Sequence, residues 1–405
     1  MSFPDIKIEE YDYNLPDERI AYFPLKKRDD SKLLFYNKGE IIHQSFKNIG
    51  ELLPQDSLLI LNDTKVIPAR IHLQKDSGST IEIFLLRPQV LEDIGKTIQG
   101  ARNEIIFEAL IGNKKRWKSG EVLNKRIQIK NKEIEVEFVW ENREENRIKI
   151  HWSGRDSFSE ILEVLGNIPL PPYIHRNPDE SDLDRYQTIF SKELGAVAAP
   201  TASLHFTQEV FEDLKQRGIE KKTLTLHVGA GTFLPVKVEN LKDHPMHREQ
   251  IIVGKEFLSS LIENKRPIIP VGTTALRAIE SIYWAGVNLV LKKKDWDGIF
   301  ILPKEFSYEN SQFGISNLQA IQAILYYLEE KGHDQWVMET ELLIGPGYDF
   351  HFCSGLVTNF HQPKSTLLVL IAGLVGKDWE RIYQEAIKGD YRFLSYGDSS
   401  LLLKN

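Results

Sequence analysis

Cysteine is almost absent from this sequence, with Cys353 the only one in 405 residues. A lone cysteine forms no internal disulfide, and it supplies neither a thiolate zinc site nor the ligands of an iron–sulfur cluster. Long apolar runs are missing too. The longest, Leu367 to Val375, falls far short of the roughly 20 residues that cross a bilayer, so it reads as a buried helix and no membrane association is expected. The opening residues, MSFPDIKIEEYDYNLP, have no basic stretch followed by an apolar one, so no secretory signal is expected and the cytoplasm is the default compartment. Positive charge is not in excess: 51 Lys and Arg stand against 58 Asp and Glu, a net charge of −7. That balance argues against a general nucleic-acid binder and leaves room for a local basic patch. No repeat, Walker A, His-Glu-x-x-His or EF-hand pattern occurs, and HPMH (244–247), which could suggest a metal, has no third ligand beside it.

A core is well provided for. Apolar residues make up 41% of the chain, and 7 Trp, 14 Tyr and 20 Phe supply enough buriable surface to exclude disorder as the dominant state. At roughly 100–200 residues per domain, the length favours two or three domains.

The texture changes twice along the chain. Ser57–Leu61 is a short buried-strand pattern that ends at the polar turn Asn62–Asp63–Thr64. From about 69 to 152, stretches of period two follow one another: IEIFLL (81–86), EIIFEALIG (104–112), KRIQIKN (125–131), IEVEFVW (134–140) and NRIKIHW (146–152). With Gly78, Gly112 and Gly120 at turns, they read as antiparallel strands of a small barrel or sandwich. After Gly154 strands and helices alternate. Helices are expected at 158–165, 207–217, 255–264, 274–284, 317–331, 365–375 and 378–388, and strands at 223–228 and 268–271. The predicted fold class is α/β: a large α/β domain (1–68 plus 153–405) into which a small antiparallel β-barrel domain (69–152) is inserted.

In open α/β sheets ligands bind beyond the carboxyl ends of strands. Four segments put polar residues there: Asn62–Lys65, His227 with the Gly229–Ala230–Gly231 turn, Gly272–Thr274, and Thr358–Lys364 with Asn359 and His361. Each has a plainer reading when taken alone. Asn-Asp-Thr makes turns that bond their own backbone, a Thr at a helix start is often only a cap, and most single histidines are structural.

Taken together, the segments resemble the S-adenosylmethionine:tRNA ribosyltransferase-isomerase family of queuosine biosynthesis. The resemblance runs through DYNLPDERIAYFPLKKRDDSKLL (12–34), LLILNDTKVIPARI (58–71), LPPYIHR (170–176) and RYQTIFSKELGAVAAPTASLHFT (185–207). It continues in TLHVGAGTFLPV (225–236), HPMHREQ (244–250), VGTTALRAIES (271–281), GPGYDF (345–350), LVTNFHQPKSTLLVL (356–370) and YRFLSYGDSSLLL (391–403), with order and spacing kept throughout.

The resemblance implies an α/β fold with an inserted barrel and S-adenosylmethionine as co-substrate, used as a ribosyl donor with no resident cofactor. The implied acceptor is the aminomethyl group of 7-aminomethyl-7-deazaguanine at the wobble position of a tRNA, and the implied product is epoxyqueuosine-tRNA, with adenine and methionine released. The sulfonium acidifies the neighbouring C5′ hydrogens, so a base, an acid for adenine and partners for the methionine carboxylate are required. By resemblance Asp63, His205, His227 and His361 are the acid–base candidates. Thr273, Thr274 and Arg277 are candidates for the carboxylate. Arg28, Asp29, Asn62, Thr64, Gly229, Gly231, Thr358, Asn359, Tyr396 and Asp398 are expected to complete the cleft.

The stretch 113–132 carries eight Lys and Arg against one Glu. Lys114, Lys115, Arg116, Lys125 and Arg126 are therefore candidates to grip the anticodon arm, with Trp117 stacking on an unpaired base. A solvated hairpin with charged edges explains the same pattern equally well. A monomer is expected.

The sequence departs from the family in three places. The link from Ile282 to Ile344 is long and reads as an added subdomain, at about 284–343, packed on the α/β core. Within it, Leu318, Ile321, Ile324, Leu325 and Leu328 share one face of a helix. Ser203 stands where Gly is usual, and Ser354 where Asp is usual. Two alternatives therefore stand beside the main reading: a paralogous transferase with another acceptor, and a non-catalytic RNA-binding paralogue.

Overall fold

The structure is a computed structural model that describes residues 3–89, 93–229, 231, 236–292 and 299–404. Among the described residues ten strands precede Gly154. They are β1 (Lys32–Asn37), β2 (Glu40–Ser45), β3 (Leu58–Asn62), β4 (Thr64–Val66) and β5 (Arg70–Gln74), then β6 (Thr80–Pro88), β7 (Glu104–Gly112), β8 (Val122–Ile129), β9 (Lys132–Asn142) and β10 (Arg147–Trp152). Eight follow: β11 (Glu193–Ala196), β12 (Glu220–His227), β13 (Glu249–Gly254), β14 (Ile268–Pro270), β15 (Phe300–Leu302), β16 (Gln335–Thr340), β17 (Gly355–Asn359) and β18 (Ser399–Leu403).

The α/β part is built on β3, whose five residues are all buried. A strand apolar on both faces belongs inside a parallel sheet, and β12 and β14 flank β3 in parallel. The six-stranded order is β14-β3-β12-β13-β16-β15, and a second sheet has the order β17-β18-β1-β2. Two parallel bridges, Ile268 with Cys353 and Val271 with Val357, stitch β14 to β17 and join the two sheets side by side.

The period-two segment forms a separate, nearly closed antiparallel sheet in the order β5-β6-β7-β10-β9-β8. Alternate residues such as Ile83, Phe107, Phe138 and Ile150 point into its own core. The end strands β5 and β8 approach each other, and Lys125 Nζ spans the gap to the His72 carbonyl at 3.2 Å. Helix Phe158–Leu165 opens with a capping box, Ser157 with Glu160, and contributes Phe158, Ile161, Leu162 and Leu165 to that same core. Polar contacts tie this segment to the α/β part, among them Arg87 with Glu339 at 3.3 Å, the Ile94 amide donating to Gln250 Oε1 at 2.9 Å, and Gln335 Nε2 donating to Asp93 at 3.4 Å.

The long link adds helix Asn317–Lys331 and two strands to the α/β part. Helix Thr273–Leu291 runs well past the expected end at Trp284, because it is buried on nearly all sides and carries no polar face to mark a boundary. The chain then supplies β15 and β16 as further strands of the main sheet, with helix Asn317–Lys331 between them. That helix packs against Thr273–Leu291 at Gly286, where a Cβ would come within 2.2 Å of the Ala320 carbonyl oxygen. Ala320, Ile321, Ile324 and Leu328 form its buried face, Leu325 is only partly buried, and Leu318, expected on that face, is 46% exposed. No helix among the described residues is long and apolar enough to cross a membrane.

Candidate active site

Four neighbouring strands, β17, β14, β3 and β12, run parallel, so their carboxyl ends open on one side. Those ends carry Asn359, Pro270, Asn62 and His227. A cleft of about 730 Å³, including its open mouth, lies beyond them. Gly272, Thr273, Thr274, Thr358, Asn359 and His361 line it, together with Tyr173, Thr201 and Ser395. A second pocket of about 520 Å³ adjoins it and shares Thr273, Thr274 and Leu367 with it. Gly231 and Arg277 belong to this second pocket.

Gly272 has φ +91°, a conformation that L side chains rarely adopt. It starts helix Thr273–Leu291 with no side-chain cap, leaving the first amides of the helix without an intrahelical acceptor beside the cleft. His361 is held on three sides. Its Nε2 lies 3.0 Å from Thr358 Oγ1, its amide donates to the Tyr383 hydroxyl at 3.1 Å, and its carbonyl accepts from the Tyr13 hydroxyl. Burial pushes the imidazole down to about 3, so it is neutral at physiological pH.

The other three acid–base candidates are not on the wall of the cleft. Asp63 turns toward β12 and accepts from Thr225 Oγ1 at 2.7 Å. Burial raises its carboxyl, while hydrogen bonds from Thr225 and Thr223 and the charge of Lys192 oppose the rise. His227 Nδ1 meets Thr64 Oγ1 at 2.9 Å, and burial pushes the ring down to about 4. His205 Nδ1 meets Ser31 Oγ at 2.9 Å under the Phe46 ring; burial first, then the Arg392 charge, bring it down to about 4.

Several expected binding residues are occupied in bracing the fold. Asn62 spends both arms of its amide on backbone: Nδ2 donates to the Leu226 carbonyl at 2.8 Å, and Oδ1 accepts from the Leu226 and Thr64 amides at 3.0 and 3.2 Å. The Gly229 amide donates to Glu249 Oε1 at 3.2 Å. Arg28 donates to the carbonyls of Asp184 and Leu204 at 2.7 and 3.2 Å, and Asp29 accepts from Thr207 Oγ1 at 3.1 Å. Tyr396 donates to Asp182 at 2.7 Å, and Asp182 also takes a two-pronged contact from Arg176. Asp398 accepts from the Lys32 and Arg392 amides at 3.0 and 2.8 Å.

Sequence reasoning missed Tyr173, Thr201 and Ser395 on the cleft wall, and Glu249, His244, Met246 and His247 in the second pocket. All of them fall inside blocks that carry the resemblance, but none is placed by a local pattern. Tyr173 and Ser395 meet through their hydroxyls from 222 positions apart.

On the antiparallel sheet, Lys114, Lys115 and Arg116 are exposed in the turn after β7, and Arg126 is exposed 3.6 Å from Glu133. Trp117 is a correction. It is 1% exposed, its Nε1 donates to the Glu121 carbonyl at 2.9 Å and its ring packs on Trp140, so it is a core residue with no face to offer a base. Lys125 is half-buried and committed to His72. Among the described residues no group of three or more His, Cys, Asp or Glu is placed to hold a metal ion.

A family model described as queuosine biosynthesis protein matches residues 8–402. The chain is 37% identical to an S-adenosylmethionine:tRNA ribosyltransferase-isomerase of Sulfurihydrogenibium sp. over 405 residues, covering 98% of this chain and 100% of that one. It is likewise 37% identical to the protein of the same name from Halothermothrix orenii, with the same coverage. A solved structure of an S-adenosylmethionine tRNA ribosyltransferase from Thermotoga maritima is 27% identical, covers 97% of this chain and 100% of that chain, and superposes with a TM-score of 0.46.

Proposed function

The chain belongs to the queuosine biosynthesis family of S-adenosylmethionine:tRNA ribosyltransferase-isomerases, and on that premise we infer that it is a transferase and isomerase moving the ribosyl group of S-adenosylmethionine onto tRNA. The acceptor is the aminomethyl group of 7-aminomethyl-7-deazaguanine at the wobble position, and the product is epoxyqueuosine-tRNA. The donor occupies the cleft at the ends of the four parallel strands. One observation supports a division of labour there: of Asp63, His205, His227 and His361, His361 alone lines the cleft.

His361 is the acid–base residue of this reading. With Nε2–H donating to Thr358 Oγ1, the lone pair of Nδ1 is left to take the C5′ proton, and the electron pair stays on C5′ as a sulfonium ylide. Burial that keeps the imidazole neutral also makes its protonated form a stronger acid than a solvated imidazolium. The same group can then hand that proton to adenine as it departs with the glycosidic electron pair. The acceptor amine forms the new carbon–nitrogen bond and gives up one proton, and the C5′ electron pair forms the carbon–carbon bond that closes the cyclopentane. A ribosyl alkoxide then displaces methionine from C5′ as a neutral thioether and closes the epoxide. Replacing His361 by Ala tests this: adenine release should fall at least about 100-fold, the lower end of general acid–base contributions, and a loss of only a few-fold removes His361 from the role.

Asp63, His205 and His227 act in this reading as buried struts that fix the loops around the cleft. Residues 69–152 form an inserted domain whose Lys114, Lys115 and Arg116 neutralise anticodon-arm phosphates, and the remainder, 1–68 with 153–405, forms the catalytic domain. The enzyme works as a cytoplasmic monomer with no cofactor beyond its co-substrate. Ser203 and Ser354, the two motif positions that depart from the family pattern, are not among the residues lining either pocket, so neither favours a changed acceptor.

A further inference from the structure

The second pocket holds a buried ion pair that also touches backbone: Glu249 Oε1 accepts from the Gly229 amide at 3.2 Å, and Arg277 Nη2 donates to the Thr340 carbonyl at 3.5 Å. Arg277 Nη2 lies 2.7 Å from Glu249 Oε2, with side chains 14% and 3% exposed. A buried pair of this kind is seldom a net source of stability, because removing both charges from water costs several kcal/mol. A site that must greet a ligand carrying one charge of each sign has a use for it. Around the pair, Arg277 Nε and Thr274 Oγ1 are buried with no partner, and the uncapped start of helix Thr273–Leu291 adds positive potential. Met246, Leu367 and Leu370 supply apolar wall to the same pocket. Thr273, Thr274 and Leu367 also line the main cleft, so a ligand can extend from one space into the other.

We propose that Glu249 and Arg277 together read the α-amino-acid end of the sulfonium donor. Arg277, with Thr274 and the helix start, takes the carboxylate; Glu249 takes the ammonium; and the apolar wall covers the methylene stem. The proposal rests on reading the main cleft as the donor site, and it adds an acidic partner that makes the pocket selective for a zwitterion over a simple anion. Opening the ion pair to admit the ligand replaces one charge contact by several, so the pair is a resting state of the recognition site.

The test compares three donors on the full-length enzyme: S-adenosylmethionine, its decarboxylated analogue and its desamino analogue. The wild type should prefer S-adenosylmethionine to each analogue by about 10-fold or more in kcat/KM, the scale of one charge-assisted hydrogen bond. Glu249→Gln should lose the preference over the desamino donor and keep the preference over the decarboxylated one. Arg277→Gln should do the reverse. A Glu249→Gln enzyme that still rejects the desamino donor as the wild type does overturns the proposal. If either variant fails to fold, the wild type decides alone, and acceptance of the desamino donor on a par with S-adenosylmethionine overturns the proposal. No adenine release from any donor by the wild type would instead sink the functional reading, and equilibrium binding of the three compounds would still judge the pocket.

Discussion

Thr358 is the penultimate residue of β17 and His361 lies two positions past the strand's end, and the Thr358 hydroxyl meets the imidazole at Nε2, 3.0 Å away. A hydrogen bond at one ring nitrogen decides which tautomer the other presents, so under the proposed function Thr358 governs the nitrogen offered to the donor. Thr358→Val keeps the shape and removes the hydroxyl. It should lower kcat about 10-fold or more, within the range of general acid–base effects, with a smaller change in KM. Thr358→Ser should recover most of the loss. Steady-state adenine release for the two variants checks both expectations.

Acid should weaken the fold through its buried histidines. His205 and His227 are each brought down to about 4 by burial, against about 6.5 in an unfolded chain. The unfolded state therefore binds protons first as pH falls. Their stabilisation is whole above about pH 6.5 and drains away down to about pH 4, at up to about 1.4 kcal/mol per pH unit for each ring. Asp63 and Glu280 have raised carboxyls and act in the opposite sense as they protonate. Thermal melts from pH 7.5 to 4.5 should show a falling midpoint that flattens in the His205→Gln, His227→Gln double variant. An unchanged slope in that variant would mean other groups carry the acid response.

Trp117 and its basic neighbours should separate cleanly. Replacing Lys114, Lys115 and Arg116 by Ala should weaken tRNA binding and cut the salt dependence of log K by up to about 0.7–0.9 for each phosphate that is no longer neutralised, with S-adenosylmethionine affinity untouched. Trp117→Ala should instead destabilise the antiparallel sheet by about 3–5 kcal/mol, as large core truncations do. Filter binding across salt concentrations and urea titration tell the two outcomes apart.

Gly286 tests whether the long link is part of the main body. A Cβ there meets the Ala320 backbone, which has no flexible end to yield. Gly286→Ala should cost about 1–3 kcal/mol by overpacking, and urea unfolding should remain one transition. A separate early transition would show that 284–343 unfolds on its own.

Much of the fold was legible because its signals are local. Period-two alternation marked β6 to β10, and apolar spacing marked the helix Asn317–Lys331. The second sheet was not: β1 and β2 form a local hairpin around Lys38 and Gly39 that the pattern reading passed over, and β18 joins it only across most of the chain length, Leu33 beside Ser399. The end of helix Thr273–Leu291 escaped because a helix buried all round has no periodicity to read.

The site was legible to the level of segments. Sequence named the strand ends that meet, and the carboxyl ends of four parallel strands duly converge. It did not say which way each side chain turns. Asp63 and His361 each lie within two residues of a strand end, yet Asp63 folds back onto Thr225 while His361 reaches the cleft. Asn62 looked polar and available until its amide was seen to replace backbone pairing with Leu226, 164 residues away. Trp117 looked like a stacking platform because charged neighbours surround it in sequence, whereas in space Trp140 does.

The most direct measurement is one reaction run with two proteins. Wild type and His361→Ala are each mixed with S-adenosylmethionine and tRNA bearing 7-aminomethyl-7-deazaguanine, and both adenine release and the mass of the wobble nucleoside are followed. The wild type should release adenine in step with formation of the epoxycyclopentanediol-modified nucleoside, and His361→Ala should bind both substrates but turn over at least about 100-fold more slowly. A wild type that binds both substrates and makes no such nucleoside, or a His361→Ala enzyme that keeps pace with it, would contradict the account.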